Sequence, residues 1–240
     1  MTGTIINSIT VLLGGAIGLF FGARLPERIR ETVVAGLGLF TAVIGISMFL
    51  SSSNAIIVLC SLLIGGILGE WWQIELGLQH FGAWLESRFA GGSGEVDQSN
   101  RFIHGFLTAS LVFCVGPMTI LGSIQDGLTG DYELLAIKSV LDGFAAMAFA
   151  STMGLGVLFS VLVVFGFQGG LSMLAAQAQV LINETMMNEM TAVGGILLVG
   201  LAVSSLLEIK RIRVGNFLPG LILAPLIVAL LGWLGILVSP

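Results

Sequence analysis

The chain alternates between long apolar runs and short polar breaks. Runs of about twenty apolar residues are long enough to cross the hydrocarbon core of a bilayer as helices. We therefore predict an all-α fold, a polytopic transmembrane helix bundle of about eight spans. The predicted spans are residues 3–22, 32–50, 54–70, 102–122, 132–150, 154–176, 191–209 and 216–238, and together they make 1–240 a single transmembrane domain.

Residues 71–89 follow a different pattern, which is typical of an amphipathic helix at the membrane surface. Apolar side chains recur there at alternating steps of three and four, at Trp71, Ile74, Leu78, Phe81 and Leu85. Tryptophan also suits the membrane interface. We predict a cytoplasmic interfacial helix, with a helix folded back onto the bundle as the alternative. The glycine-rich residues 90–100 that follow are predicted to be a flexible linker.

Composition agrees with a membrane protein and excludes several functions. Hydrophobic residues make up 56% of the chain, charged residues only 10%, and the mean hydropathy is +1.04. The net charge of −5 without a basic patch argues against nucleic acid as a partner. Cys60 and Cys114 lie in apolar runs, so neither a disulfide nor a metal site is indicated. No hydrolase, redox or phosphate-loop motif occurs, so we expect neither an enzyme nor a cofactor.

The basic residues predict the orientation of the spans. Every Lys and Arg except Lys138 falls in alternate loops, namely Arg24, Arg28, Arg30, Arg88, Arg101, Lys210, Arg211 and Arg213. Cytoplasmic loops are enriched in Lys and Arg, so these loops are predicted to be cytoplasmic and both termini to face outward. The first apolar run has no cleavage site after it, so we expect it to remain as the first span.

Glycine spacing predicts close helix packing. Gly14, Gly18 and Gly22 repeat every fourth residue, as do Gly65 and Gly69. Such stripes let the backbone of a neighbouring helix approach, within the chain or in a homo-oligomer. An inverted repeat is also considered, because a shift of about 107 positions aligns spans one to three with spans four to six. A shift of about 159 positions instead pairs spans two and three with seven and eight, and both alignments stay open.

Polar residues gather between the fourth and fifth spans. The pair Gly116 and Pro117 is expected to break the fourth span, because proline lacks an N–H and biases the preceding residue away from helix. The stretch "GSIQDGLTGD", residues 122–131, then supplies glycines for turns together with Ser123, Gln125 and Asp126. Irregular backbone at membrane depth requires cover by protein or a water-filled cavity.

Lys138 and Asp142 lie inside the predicted fifth span, where each charge costs about 2.5–3.5 kcal/mol. Their spacing of four residues places them on one helix face with Asp131. A structural ion pair is one interpretation. The other is a substrate or ion site lined by a discontinuous helix. Its predicted residues are Lys138, Asp142, Asp126, Asp131, Ser123, Gln125 and Asn7.

Several motifs also carry a family resemblance. The segments "FCVGPMTILGSIQDGLTGD", "KSVLDG", "GTIINSITVLLGGAIGLFFG" and "GEWWQIE" resemble the YdfK/YqgA-like family of uncharacterised bacterial inner-membrane proteins. The resemblance covers essentially the whole chain. It implies a multi-pass protein of the bacterial cytoplasmic membrane and carries no established substrate.

Three functions follow as hypotheses. The first is a transporter of a small solute or ion, whose site is formed by the broken fourth span and the charged fifth span. The second is an oligomeric channel. The third is a non-transporting assembly or sensor protein, whose helix at 71–89 docks a partner.

Overall fold

A computed structural model describes residues 1–22, 26–89, 96–177, 182–207 and 209–234. Within these ranges the regular elements are helices, which confirms the all-α prediction. They are α1 (Thr2–Gly22), α2 (Glu27–Phe49), α3 (Ala55–Trp72), α4 (Ile74–Phe89), α5 (Val96–Cys114), α6 (Pro117–Leu128), α7 (Glu133–Met153), α8 (Gly156–Met173), α9 (Glu184–Leu201) and α10 (Pro219–Trp233). A π-helical turn, Ala202–Leu206, follows α9, and a 3₁₀ turn, Val214–Phe217, precedes α10.

The surface of these helices is that of a membrane protein. Seven helices in the described part of the chain are long and apolar enough to cross a bilayer, and α5 with α6 makes an eighth if the two count as one span. Large apolar side chains stay exposed, for example Leu39, Phe40 and Val43 on α2. Such a surface is unfavourable in water and favourable in lipid. The polytopic helical bundle is therefore confirmed.

Several boundaries differ from the predicted ones, and two of the differences have a local cause. Gln73 adopts a left-handed conformation, with φ of 53°, so it ends α3 and the helix predicted over 71–89 begins at Ile74. Helix α9 begins at Glu184, because the Asn183 side chain accepts a hydrogen bond from Met186 N at 2.8 Å. Part of the predicted linker is already helical in α5. The rest of that linker, residues 90–95, and the predicted span end at 235–238 lie outside the described residues.

The chain divides into two units. Unit 1 comprises residues 1–36 and 79–179, and unit 2 comprises residues 37–78 and 180–240. Unit 1 thus contains α1 and α5 to α8. Unit 2 contains α3, α9, α10 and most of α2, the helices paired by the second of the two repeat alignments.

Unit 1 is organised by the first glycine stripe. A Cβ at Gly14, Gly18 or Gly22 would overlap backbone atoms of Gly143, Met147 or Ser151 on α7. The numbers rise together along both helices, so α1 and α7 run parallel in backbone contact. The stripe predicted to pack helices therefore does so within the chain.

Unit 2 uses the second stripe in the same way. A Cβ at Gly65 would lie 2.5 Å from Gly220 N, and one at Gly69 would overlap Asn216. The numbers now run in opposite directions, so α3 lies antiparallel to α10 and the turn before it.

Candidate functional site

The centre of unit 1 is an ion pair on α7. Lys138 and Asp142 are one helical turn apart, and Lys138 Nζ donates a hydrogen bond to Asp142 Oδ2. Their exposed fractions are 5% and 7%, so the protein covers both charges. The structure therefore brings together the two charged residues that the sequence places within one span.

Asn7 of α1 is the third member of this centre. Its Nδ2 donates to Asp142 Oδ2 at 2.9 Å. Asn7 lies two turns before Gly14 on the glycine-packed face, so the close approach of α1 and α7 brings the amide to the carboxylate. Asn7 Oδ1 is buried and has no hydrogen-bond partner among the described residues.

A helix break lies beside the pair. Helix α5 ends at Cys114, α6 begins at Pro117, and the two helix axes differ by 62°. Gly116 between them is extended, with φ of −73° and ψ of 149°. The Phe113 ring centroid lies 6.0 Å from Lys138 Nζ, and the carbonyl of Phe113 accepts from Thr119 Oγ1 at 2.9 Å. The break predicted at Gly116 and Pro117 thus adjoins the Lys138 ammonium.

Helix α6 is more regular than the glycines of its sequence indicated. The turn predicted over 122–131 is helical as far as Leu128, and of its three glycines only Gly130 has a positive φ, of 74°. Gly122 and Gly127 serve packing instead, since a Cβ there would strike Leu135 or Ser172.

Asp126 has a separate role at the start of α1. Its two carboxylate oxygens accept from Thr2 N at 3.1 Å and from Gly3 N at 3.0 Å. A carboxylate at this position satisfies free N–H groups and complements the positive end of the helix dipole. Asp126 is buried and holds α1 to α6, so the structure does not group it with Lys138 and Asp142.

The remaining predicted site residues are Gln125 and Asp131, which are exposed, and Ser123, which is buried. Asp131 Oδ1 accepts from Glu133 N at 3.1 Å near the start of α7. Neither Gln125 nor Asp131 joins the buried pair. Ser123 lies on the buried face of α6, and its Oγ has no partner among the described residues.

The hydrogen bonds at Asp142 leave capacity for another group. Both bonds to this carboxylate end on Oδ2, so no donor among the described residues is assigned to Oδ1. An ammonium has three N–H donors, and Asp142 accepts from one of them. Buried ions need several compensating contacts, so this centre is suited to a further polar or charged group.

Unit 2 contains a buried carboxylate that the sequence reasoning missed. Glu189 of α9 is fully buried and accepts from Ser52 Oγ at 2.7 Å, Ser53 N at 2.8 Å and Asn54 N at 2.9 Å. It therefore caps the chain entering α3. The neighbouring Asn183 and Glu184 form a helix-start signal, which would have placed Glu189 inside a helix instead of in a loop.

Other buried polar atoms in unit 1 also have no hydrogen-bond partner among the described residues. They are Thr4 Oγ1, Thr108 Oγ1, Ser110 Oγ, Gln168 Oε1, Gln168 Nε2 and Ser172 Oγ. Serine and threonine usually satisfy themselves on their own helix, as Ser139 and Ser160 do here. The interior of unit 1 therefore has unused hydrogen-bonding capacity.

Fold and site together define a multi-pass membrane protein with a buried polar centre. A family model described as "Protein of unknown function (DUF554)" matches residues 2–229, and the chain belongs to this family. The chain is 32% identical over 232 residues to "Uncharacterized membrane protein YdfK" of Bacillus subtilis (strain 168), covering 95% of this chain and 96% of that one. It is 34% identical over 232 residues to "Uncharacterized protein YqgA" of Escherichia coli (strain K12), covering 96% and 98%. The resemblance seen in the sequence motifs is confirmed, and no solved structure matches the chain.

Proposed function

We propose that this protein transports a small charged or zwitterionic solute, or an ion, through the centre formed by Lys138, Asp142 and Asn7. The observation that carries the proposal is the buried pair beside a helix break, with Asn7 completing it from a second helix. Intramembrane ionisable residues next to broken helices are typical of transporter sites.

A purely structural role for the Lys138 and Asp142 pair accounts for fewer of these observations than a transport role does. Replacing a buried pair by apolar residues is often neutral or stabilising, so packing alone gives little reason for two charges here. A structural pair also gives no reason why Asn7 Oδ1, next to it, has no hydrogen-bond partner in the described part of the chain. A bound solute would interact with the charged pair and with Asn7 Oδ1.

Each residue has a role in the proposed mechanism. Lys138 neutralises or binds an anionic group of the solute, and Asp142 takes up a proton or a cation. Asn7 orients the carboxylate through its amide. We propose that α5 and α6 form one discontinuous span, which can change its bend at Gly116 while α1 and α7 stay packed together.

The proposal includes a location. We propose that the protein lies in the bacterial cytoplasmic membrane with both termini outside, on the strength of its basic loops. A homo-oligomer would need a surface other than the two glycine stripes, because both stripes pack within the chain.

Uptake into pyranine-loaded proteoliposomes tests the function. A panel of amino acids, small carboxylates and inorganic ions would be screened for uptake and for proton movement. Asp142→Asn and Lys138→Met should each lower the uptake rate at least about tenfold, because each removes one of the two charges that bind the solute. Glu189→Gln is the matched control, since it changes a buried carboxylate of unit 2. Equal uptake by all three variants would remove Lys138 and Asp142 from the mechanism.

A further inference from the structure

The start of α1 meets the ends of α6 and α8 in unit 1. This junction lies before the part of α1 that packs on α7 through Gly14, Gly18 and Gly22. Asp126 of α6 binds the first N–H groups of α1. A Cβ at Gly169 of α8 would lie 3.1 Å from Met1 Cε, and one at Gly127 of α6 would overlap the carbonyl oxygen of Ser172. The start of α1 and the last turns of α6 and α8 are therefore in mutual contact.

Four buried polar side chains lie at this junction, and we name them the α1/α6/α8 cluster. They are Thr4, Ser123, Gln168 and Ser172. Thr4 follows Gly3, Gln168 precedes Gly169, and Ser123 lies one turn before Gly127. Their side-chain oxygens and the Gln168 amide nitrogen have no hydrogen-bond partner within the described ranges.

The unused groups at this junction are mainly neutral oxygens. Hydroxyl and amide oxygens are the ligands that hard cations prefer. The cluster itself contains no carboxylate, and both oxygens of the nearby Asp126 are engaged by α1. Divalent cations usually take carboxylate ligands, so neutral oxygens suit a monovalent ion better.

Two of the three helix ends at the junction favour a cation. The last turns of α6 and α8 present the negative ends of their dipoles, which favour a cation. The positive groups at the start of α1 are already held by Asp126, which accepts from Thr2 N and Gly3 N and lies 2.9 Å from Met1 N, so they offer little to an anion. We propose that the α1/α6/α8 cluster is a binding site for a monovalent alkali cation, with sodium as the probe ion.

This site extends the proposed transport function, because Thr4 and Asn7 are one turn apart on α1 and a bound cation can influence the solute centre. Its test does not depend on transport. Ion binding can be found where uptake is not, and uptake can persist without sodium dependence.

The experiment measures thermal unfolding of the purified full-length protein in detergent while choline chloride is replaced by sodium chloride at constant ionic strength. A bound ion stabilises the folded state, so the unfolding midpoint of the wild type should rise and saturate. Gln168→Leu and Ser172→Ala should raise the half-saturating sodium concentration at least about tenfold, equivalent to about 1.4 kcal/mol. Ser160→Ala should respond as the wild type does, because Ser160 Oγ already donates to Val157 O on the same helix.

The variants should fold, because Gln168→Leu removes two buried atoms that have no partner in the described chain. In choline chloride its midpoint should equal or exceed that of the wild type. Identical wild-type midpoints in the two salts would overturn the proposal. An unchanged sodium response in both Gln168→Leu and Ser172→Ala would overturn it as well.

Discussion

Asp142 in unit 1 and Glu189 in unit 2 are both buried carboxylates within apolar helices, yet their surroundings differ. Glu189 accepts from two backbone N–H groups and a hydroxyl, with both of its oxygens engaged by the entry to α3. Within the described ranges, Asp142 accepts through one oxygen only, from the Lys138 ammonium and the Asn7 amide, and Asn7 Oδ1 has no partner there. The two carboxylates are thus similarly buried but differ in how hydrogen bonds are distributed over their oxygens. We propose that this difference separates a capping carboxylate from a binding one.

The largest expected effect comes from removing the counter-charge of Asp142. Lys138→Met leaves a buried carboxylate unpaired, so the free energy of unfolding should fall by about 3–5 kcal/mol. The double variant Lys138→Met with Asp142→Leu should recover most of that loss, because no charge then stays buried. Denaturant unfolding in detergent would measure both. If Lys138→Met were as stable as the wild type, the Lys138 and Asp142 pair would be well solvated. Asp142 could then no longer be compared with Glu189 as a second buried carboxylate.

The next effect concerns the packing that brings Asn7 to Asp142. In Gly18→Leu the new side chain would meet the backbone of Met147, which cannot move aside as a flexible side chain can. We expect a loss of about 3 kcal/mol in the free energy of unfolding. Gly166→Ala on α8 is the matched control, because no atom of the described residues lies within 4 Å of its added Cβ. That control should be neutral or slightly stabilising, since alanine favours helix over glycine.

A smaller effect is expected at Glu189. Glu189→Gln keeps one acceptor oxygen but loses the charge on bonds to Ser53 N and Asn54 N, so the free energy of unfolding should fall by about 2 kcal/mol. Uptake per folded molecule should not change. Comparing its unfolding midpoint and uptake rate with those of Asp142→Asn would separate capping from binding. A selective loss of uptake in Glu189→Gln would reverse the two assignments.

The sequence predicted the parts of the site that are local. Lys138 and Asp142 share a helix face, so their spacing is enough to pair them, and the break at Gly116 and Pro117 follows from proline chemistry. Asn7 was predicted as a site residue from its position in a span. Its partner was not, because 135 residues separate it from Asp142 and only tertiary packing joins them.

The roles of two glycines and two acids could not be predicted from the sequence, because these roles depend on neighbouring helices. Gly122 and Gly127 were predicted to be turn residues. In the structure they lie within α6, where Leu135 and Ser172 come too close for a Cβ. Asp126 was predicted as a site residue, but its contact with the start of α1 could not be predicted, because 123 residues separate it from Gly3. Glu189 was missed because its helix began seven residues before the predicted span.

Solvent access to the Lys138 and Asp142 centre tests the central claim most directly. Cys114 directly follows Phe113, whose ring faces Lys138. In a Cys60→Ser background, labelling of Cys114 can therefore report on solvent access to this centre. A charged, membrane-impermeant thiosulfonate reagent would be added to both faces of the membrane, with detergent-denatured protein as the reference for full labelling. We expect Cys114 of the folded protein to be labelled, because the centre must open to water for a solute to enter. Labelling of Cys114 only after denaturation would contradict transport through this centre.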